Sequence, residues 1–296
     1  MLGVVNLDKP VGPTSHDMVG LLRRLTGTKR IGHAGTLDPL ASGVLPILVG
    51  AATRFSQELT GGNKRYEAII RLGARSLTDD AQGPITTVAG PLPTDEALAG
   101  ALGGFVGTFE QRPPDFSARK QGGQTAHRAA RAGTPIEVAP RTVRVEVIDL
   151  LGAERGDGWL DARCDIRCGA GTYIRSIARD LGERLGTGGY LRALRRTEAA
   201  GLSIQDAIDP ARLEALAAGG RLAEAVRPVG DLLSMPHIEL DADAVRRFTT
   251  GSSQRLAGAP AGRAAIFGAG ELLGIGSVSE GLLKPEKVLP REARTS

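Results

Sequence analysis

Aromatic side chains are scarce in this 296-residue chain: six Phe, three Tyr and one Trp, 3% of the whole. With 41% hydrophobic residues, a core is available, but it must be built from aliphatic side chains. Cysteine is nearly absent as well. Cys164 and Cys168 are the only two, and their spacing in an alternating stretch puts them on one face of one strand. No second pair and no histidine cluster accompanies them. That argues against a zinc site or a disulfide framework and favours two buried, reduced thiols. No apolar run approaches the length of a membrane span. The opening Met1-Leu2-Gly3-Val4-Val5-Asn6 lacks the basic, apolar and small-residue sections of a signal peptide. A cytoplasmic protein with no membrane association is the expectation.

Charge is present but unevenly spread. Residues 1–75 carry ten Lys/Arg against five Asp/Glu, residues 112–144 seven against two, and residues 175–196 six against two. The net charge of the chain is only +4, so the remaining sequence is acidic overall. Basic segments of this kind suit contacts to phosphates, because neutralising phosphates releases counterions. A set of solvated faces would give the same count, since clustering in sequence is not clustering in space. No dinucleotide fingerprint or metal-ligand cluster occurs, and no cofactor is expected.

Read in order, Gly3-Val4-Val5-Asn6-Leu7 forms a short strand ending in the fixed turn Asp8-Lys9-Pro10-Val11-Gly12-Pro13. Thr14 or Ser15 can cap a helix carrying Val19, Leu22 and Leu25 at helical spacing. Gly32-His33-Ala34-Gly35-Thr36-Leu37-Asp38-Pro39-Leu40-Ala41-Ser42-Gly43 then holds three glycines, an Asp-Pro pair and one of four histidines. On local chemistry it is either an ordinary turn or a tight loop presenting one carboxylate, anchored by the apolar run Val44–Val49. Residues 63–73 alternate as a strand, Pro93 to about Phe105 reads as a helix with acids at its positive end, and 143–148 and 162–168 read as two more strands. Gly169-Ala170-Gly171-Thr172 turns the second of these into a helix from Tyr173. From Leu202 the composition becomes alanine- and leucine-rich. Helices over Ala207 to about Val226 lead to a boundary near Pro228–Met235. Strand-like 263–268 and 271–278, joined by Ala269-Gly270, suggest a small β-domain.

The wording of the loop, G-H-A-G-T-L-D-P-L-A-S-G-V-L-P, resembles the catalytic loop of the bacterial tRNA pseudouridine-55 synthases of the TruB type nearly letter for letter. Four further stretches agree. They are L-D-K-P-x-G-x-T-S at the start, Leu72–Gly83, the F-x-Q-x-P-P step at Phe109–Pro114, and C-x-A-G-T-Y-I-R-S-x-A-R-D-L-G at Cys168–Gly182. Leu191–Thr197 matches the family's third signature. One segment departs: Gly123–Arg128 stands where relatives generally read G-x-R-x-Y, so an arginine and a tyrosine are missing around Thr125 and His127. The departure touches RNA contacts, not the chemistry.

The resemblance implies an α+β fold, with a mixed, largely antiparallel sheet flanked by helices over residues 1–230. A small PUA-like β-barrel that binds RNA would follow over 231–296. It implies isomerisation of the T-loop uridine, position 55 of tRNA, by base flipping and covalent catalysis from a single aspartate. Asp38 would be that aspartate, adding at C1′ or at C6. Tyr66 would lie against the target base, Tyr173 near C5 of the uracil, and Arg175 would pair with Asp38 and favour its ionised form. Lys9 would buttress the loop near the substrate; by its own chemistry it could equally be a surface lysine. Leu194 would floor the base pocket, and His33 would stack where the base has left or contact phosphate, unless it is a structural histidine. Arg119, in the basic stretch Phe116–Gly123, would lie along the RNA. The expected partner is the T-arm stem-loop of tRNA, bound by a monomer without a guide RNA. A non-catalytic RNA-binding module, or a guide-dependent synthase of the archaeal and eukaryotic type, would share parts of this pattern.

Overall fold

The structure, a computed structural model, describes residues 1–116 and 139–290, with backbone alone for 120–121 and 124–125. Arg119, Thr125 and His127 therefore lie outside the residues whose side chains are described.

A ten-stranded sheet organises the first 230 residues. Its strands run in the order Val226–Arg227, Gly3–Lys9, Ala41–Val49, Gly189–Ala199, Lys64–Leu72, Trp159–Cys168, Arg141–Gly156 and Gly107–Gln111. Ile31–His33 joins Ala41–Val49, and Leu202–Ser203 joins Gly189–Ala199. Every pairing is antiparallel except that of Ala41–Gly43 with Leu194–Arg196. Strand Lys64–Leu72 shows the period-2 pattern: Lys64, Tyr66, Ala68, Ile70 and Leu72 are buried, while Arg65, Glu67, Ile69 and Arg71 face the other side. Helices 15–26, 95–103, 174–184 and 210–218 cover the buried face. Their Leu22, Leu98, Ile177, Leu181 and Leu213 close the main core.

Local chemistry accounts for the helix limits near the site. Thr14 accepts from the Asp17 amide while the Asp17 carboxylate accepts from the Thr14 amide, a complete capping box. Gly27, left-handed at φ 68°, ends that helix. Cys164 and Cys168 are both buried on one strand face, and burial pushes their thiols up to about 12 and about 11. Thiolate chemistry is thereby suppressed.

A second, five-stranded sheet comprises His237–Leu240, Gly262–Gly268, Glu271–Ser279, Leu282–Val288 and Gln254–Arg255, curled over helix Ala242–Thr249. Its hairpin turns through Ala269 and Gly270, both at positive φ. Phe248, Ile266, Val278 and Leu283 form its own core. A third apolar cluster joins the two sheets: Val44, Leu48, Phe55 and Leu59 pack with Val229, Leu233, Ala265, Ile275 and Leu289. Glu58, whose side chain is 6% exposed, pairs across the same junction with Arg263 and Lys287, each at 2.8 Å. No helix among the described residues is long and apolar enough to cross a membrane.

Candidate active site

The Asp38 loop connects strand Ile31–His33 to strand Ala41–Val49 and is tied down from four sides. Ala34 donates to the Pro46 carbonyl at 2.9 Å, and the Ala41 amide closes the turn onto the Asp38 carbonyl at 3.0 Å. The Gly12 amide donates to the Pro39 carbonyl at 2.8 Å, joining the proline-rich turn to the loop. The buried Ser15 hydroxyl accepts from the Leu37 amide at 2.8 Å and donates to the Leu37 carbonyl at 3.0 Å. Gly43 shows why glycine is needed: at φ 101°, a Cβ there would stand 2.2 Å from the Arg196 carbonyl oxygen.

Asp38 faces a cavity of about 240 Å³ lined by Tyr66, Lys64, Thr172, Tyr173, Arg175, Leu194 and Arg196, among others. Arg175 Nε lies 3.0 Å from Asp38 Oδ2, without the alignment of a hydrogen bond, so this contact is ionic. The rest of the Arg175 guanidinium donates to the carbonyls of Thr78 and Phe116, both at 3.1 Å. Asp80 Oδ2 is 3.7 Å from its Nη1. The arginine is almost wholly buried, whereas the Asp38 side chain keeps 42% of its surface open to the cavity mouth. Tyr173 sits at the N-terminal boundary of helix 174–184 and is fixed by Gln111. The Gln111 side chain accepts from its amide at 2.8 Å and donates to its carbonyl at 3.0 Å. The Tyr66 phenol is held above its ordinary pKa, first by burial.

The structure thus brings Asp38, Tyr66, Tyr173, Arg175 and Leu194 to one cavity. Two other named residues stand apart from it. Lys9 is not a surface lysine but completely buried, donating to the Pro10 and Pro13 carbonyls at 2.8 and 2.7 Å. Burial lowers it to about 8, with Asp38 nearby opposing that shift. It stiffens the turn under the loop and is closed off from solvent. His33 is half-buried at the entry to the loop and does not line the cavity. Its Nδ1 has no partner, and burial, then Arg196, then His16 lower its pKa.

Sequence reasoning missed Arg196, Lys64, Ser15, Gln111 and Asp80. Arg196 is 1% exposed and holds the loop through Nε to the Val44 carbonyl at 2.7 Å and Nη2 to the Gly35 carbonyl at 3.0 Å. Its sequence signals were the crowding of arginine in Leu191–Thr197 and the match of that stretch to the third signature. Alternation alone distinguishes Arg196, on the core side, from Arg195, which pairs outside with Asp8 at 2.7 Å.

Residues 23–174 match the profile of the TruB family pseudouridylate synthase N-terminal domain, and residues 175–234 that of the tRNA pseudouridylate synthase B C-terminal domain. The chain belongs to the TruB family. The tRNA pseudouridine synthase B of Ralstonia nicotianae is 41% identical over 97% of this chain and 94% of that protein. The one from Aromatoleum aromaticum is 41% identical over 97% and 92%. Among solved structures, a chain of an H/ACA RNP bound to a substrate RNA containing 2′-deoxyuridine superposes with a TM-score of 0.74 at 26% identity, over 99% of this chain and 86% of that one. A chain of a Cbf5–Nop10–Gar1 complex gives 0.74 at 28%, over 98% and 86%. For a TruB-family chain the α+β architecture, with its largely antiparallel sheet, is the expected one, and the match runs through both sheets.

Proposed function

We infer that this TruB-family protein is an isomerase, a tRNA pseudouridine synthase that converts uridine 55 of tRNA to pseudouridine. The observation that carries the reading is the open carboxylate of Asp38, ion-paired to a buried arginine, in a cavity walled by Tyr66, Tyr173 and Leu194. The reaction breaks N1–C1′, turns the base and bonds C5 to C1′. One carboxylate suffices for the covalent work, at C1′ or at C6, and the base must leave its stack to reach it.

In this reading Asp38 is the nucleophile, and Arg175 orients it. Tyr66 lies against the base, Tyr173 serves the C5 proton and Leu194 floors the pocket. Lys9 acts through the loop it stiffens. His33 and Arg119 contact RNA, the first from the mouth of the loop. Residues 1–230 form the synthase domain, and 231–296 a PUA-like domain that extends the RNA surface. The T-arm stem-loop is the substrate element, bound by a monomer in the cytoplasm without guide RNA or cofactor. The extent of identity to the tRNA pseudouridine synthase B proteins supports this over the guide-dependent alternative.

Purified protein incubated with an unmodified tRNA transcript alone, followed by pseudouridine mapping, tests the reading. Pseudouridine at position 55, lost in Asp38→Asn although that variant still folds and binds tRNA, is the expected result. Substantial single-turnover product from Asp38→Asn would remove the aspartate from its role, and an inactive parent would remove the activity itself.

A further inference from the structure

Three cations are buried around the Asp38 loop without a carboxylate partner: Lys9 and Lys64 donate to backbone carbonyls, and Arg196 to backbone carbonyls and the Tyr66 hydroxyl. Among the described residues no carboxylate lies within 4.0 Å of any of them. Arg175, by contrast, has both Asp38 and Asp80. Lys64 and Arg196 also line the cavity, so its wall carries three cations against the single carboxylate of Asp38. An unpaired buried charge is costly and is rarely kept without a purpose. The cavity is therefore built to receive negative charge.

Lys64 is the better placed of the two to deliver it. Its Nζ donates to the carbonyls of Thr60 and Gly62, both at 2.8 Å, which uses two of three N–H groups. Arg196 stands behind it. A Cβ on Gly35 of the catalytic loop would be 3.6 Å from Lys64 Cε and 3.4 Å from Arg196 Nη1. The loop thus rests on this pair of cations.

We propose that Lys64, backed by Arg196, is a further catalytic group that stabilises the negative charge carried by the uracil ring during isomerisation. The proposal rests on the reaction inferred above. If Asp38 adds at C1′, the N1–C1′ bond breaks with its electron pair staying on the ring. C5 then bonds to C1′ and displaces the carboxylate, the C5 proton leaves and N1 takes up a proton. If Asp38 adds at C6, the ring electrons move onto O4. Either route makes the ring transiently anionic, and a fixed cation in a closed site acts on that stage alone. A helix-capping role, holding the end of helix Ser56–Thr60, would need the hydrogen bonds of Lys64 but not its charge.

The experiment compares Lys64→Gln, which keeps donors but no charge, with Lys64→Arg, which keeps the charge. Single-turnover rates at saturating tRNA are set beside filter-binding constants and melting temperatures. The expected result is a rate loss of about 100-fold in Lys64→Gln, with tRNA affinity within about threefold and the larger part of the rate retained in Lys64→Arg. A Lys64→Gln rate near that of the parent overturns the proposal. So does a loss that appears in affinity, with the salt slope reduced by about one, which would make Lys64 a phosphate contact.

The parent provides a second reading that needs no substitution. Burial lowers Lys64 to about 8 in the free protein, so the parent kcat/KM should fall as pH rises beyond that value. The groups around Lys64 are Arg196, Cys168, Tyr66, Asp38 and Arg175. Burial raises Cys168 to about 11 and raises Tyr66, so neither titrates in that window. Lys9 also loses its proton near 8, so a fall that persists in Lys64→Gln does not come from Lys64. A parent kcat/KM undiminished well above pH 8 overturns the proposal. Parent turnover in the same assay tests the reaction itself, separately from the lysine.

Discussion

Ser15→Ala should damage the site from behind the cavity wall, through the backbone of Leu37. The Ser15 hydroxyl is 2% exposed and satisfies both backbone groups of Leu37, the residue before Asp38. Alanine removes both hydrogen bonds and leaves a buried N–H and a buried C=O unpaired. At about 1–2 kcal/mol for each group, the loss is about 2–4 kcal/mol. Alanine is the better helix former at this first position of the helix and returns about 0.5 kcal/mol. For a chain of this size the remainder is a fall in Tm of roughly 2–6 °C. The loop also loses the clasp that sets the position of Asp38, and misplacement on the scale of an ångström costs up to about 100-fold in rate. Thermal unfolding by circular dichroism, and tritium release from C5-labelled uridine at saturating tRNA, measure the two effects. A variant that melts within a degree of the parent and turns over within twofold of it would refute the argument. The clasp would then be dispensable.

Tyr173→Phe and Arg175→Ala should each leave tRNA affinity within about tenfold, roughly 1.4 kcal/mol, while the single-turnover rate falls much further; parent-like rates at saturation would make this segment a docking element. Affinity for tRNA should fall steeply with salt, with a log–log slope of several units, and a slope near zero would show that the basic segments do not contact phosphates. Asp79, half-buried beside Arg179 at 3.0 Å, has its carboxyl raised from 3.8 to about 6, first by loss of solvent. A folded value above the unfolded one contributes stability below about pH 4 that is lost as pH rises through about 6. Asp79→Asn should therefore gain on the parent in urea midpoint across that window, and a difference independent of pH would count against it.

Much of the site was legible because its residues sit in continuous stretches whose local chemistry is self-contained. The capping box at Thr14 needs only a hydroxyl and Asp17 three residues on. The loop announces itself through Gly, Asp and Pro. What sequence could not show is which cations end up inside. Lys9 reads as a surface lysine because its solvation shell is replaced by carbonyls of its own turn, an outcome no periodicity encodes. Lys64 shares the inward face of Tyr66, but Arg196 depends on strand register, and register shifts at Leu191/Ala193 and Arg196/Glu198 decide which arginines of that strand face inward. Strand Arg141–Gly156 runs well past the expected Ile148 for a related reason. The shift between Leu150 and Gly152 breaks the alternation that would have marked its continuation.

The lone parallel pairing of the large sheet, Ala41–Gly43 beside Leu194–Arg196, has a consequence for a chain still being made. The carboxylate emerges from the ribosome at residue 38, but the strand that carries Arg196 and Leu194 follows more than 150 residues later. At a synthesis rate of about 5–20 residues per second, that delay is on the order of 8–30 s. Through that interval the nascent polypeptide holds Asp38 with no pocket around it. A partly translated molecule therefore cannot act on an RNA passing near the exit tunnel, and competence arrives in one late step when the two distant segments zip together.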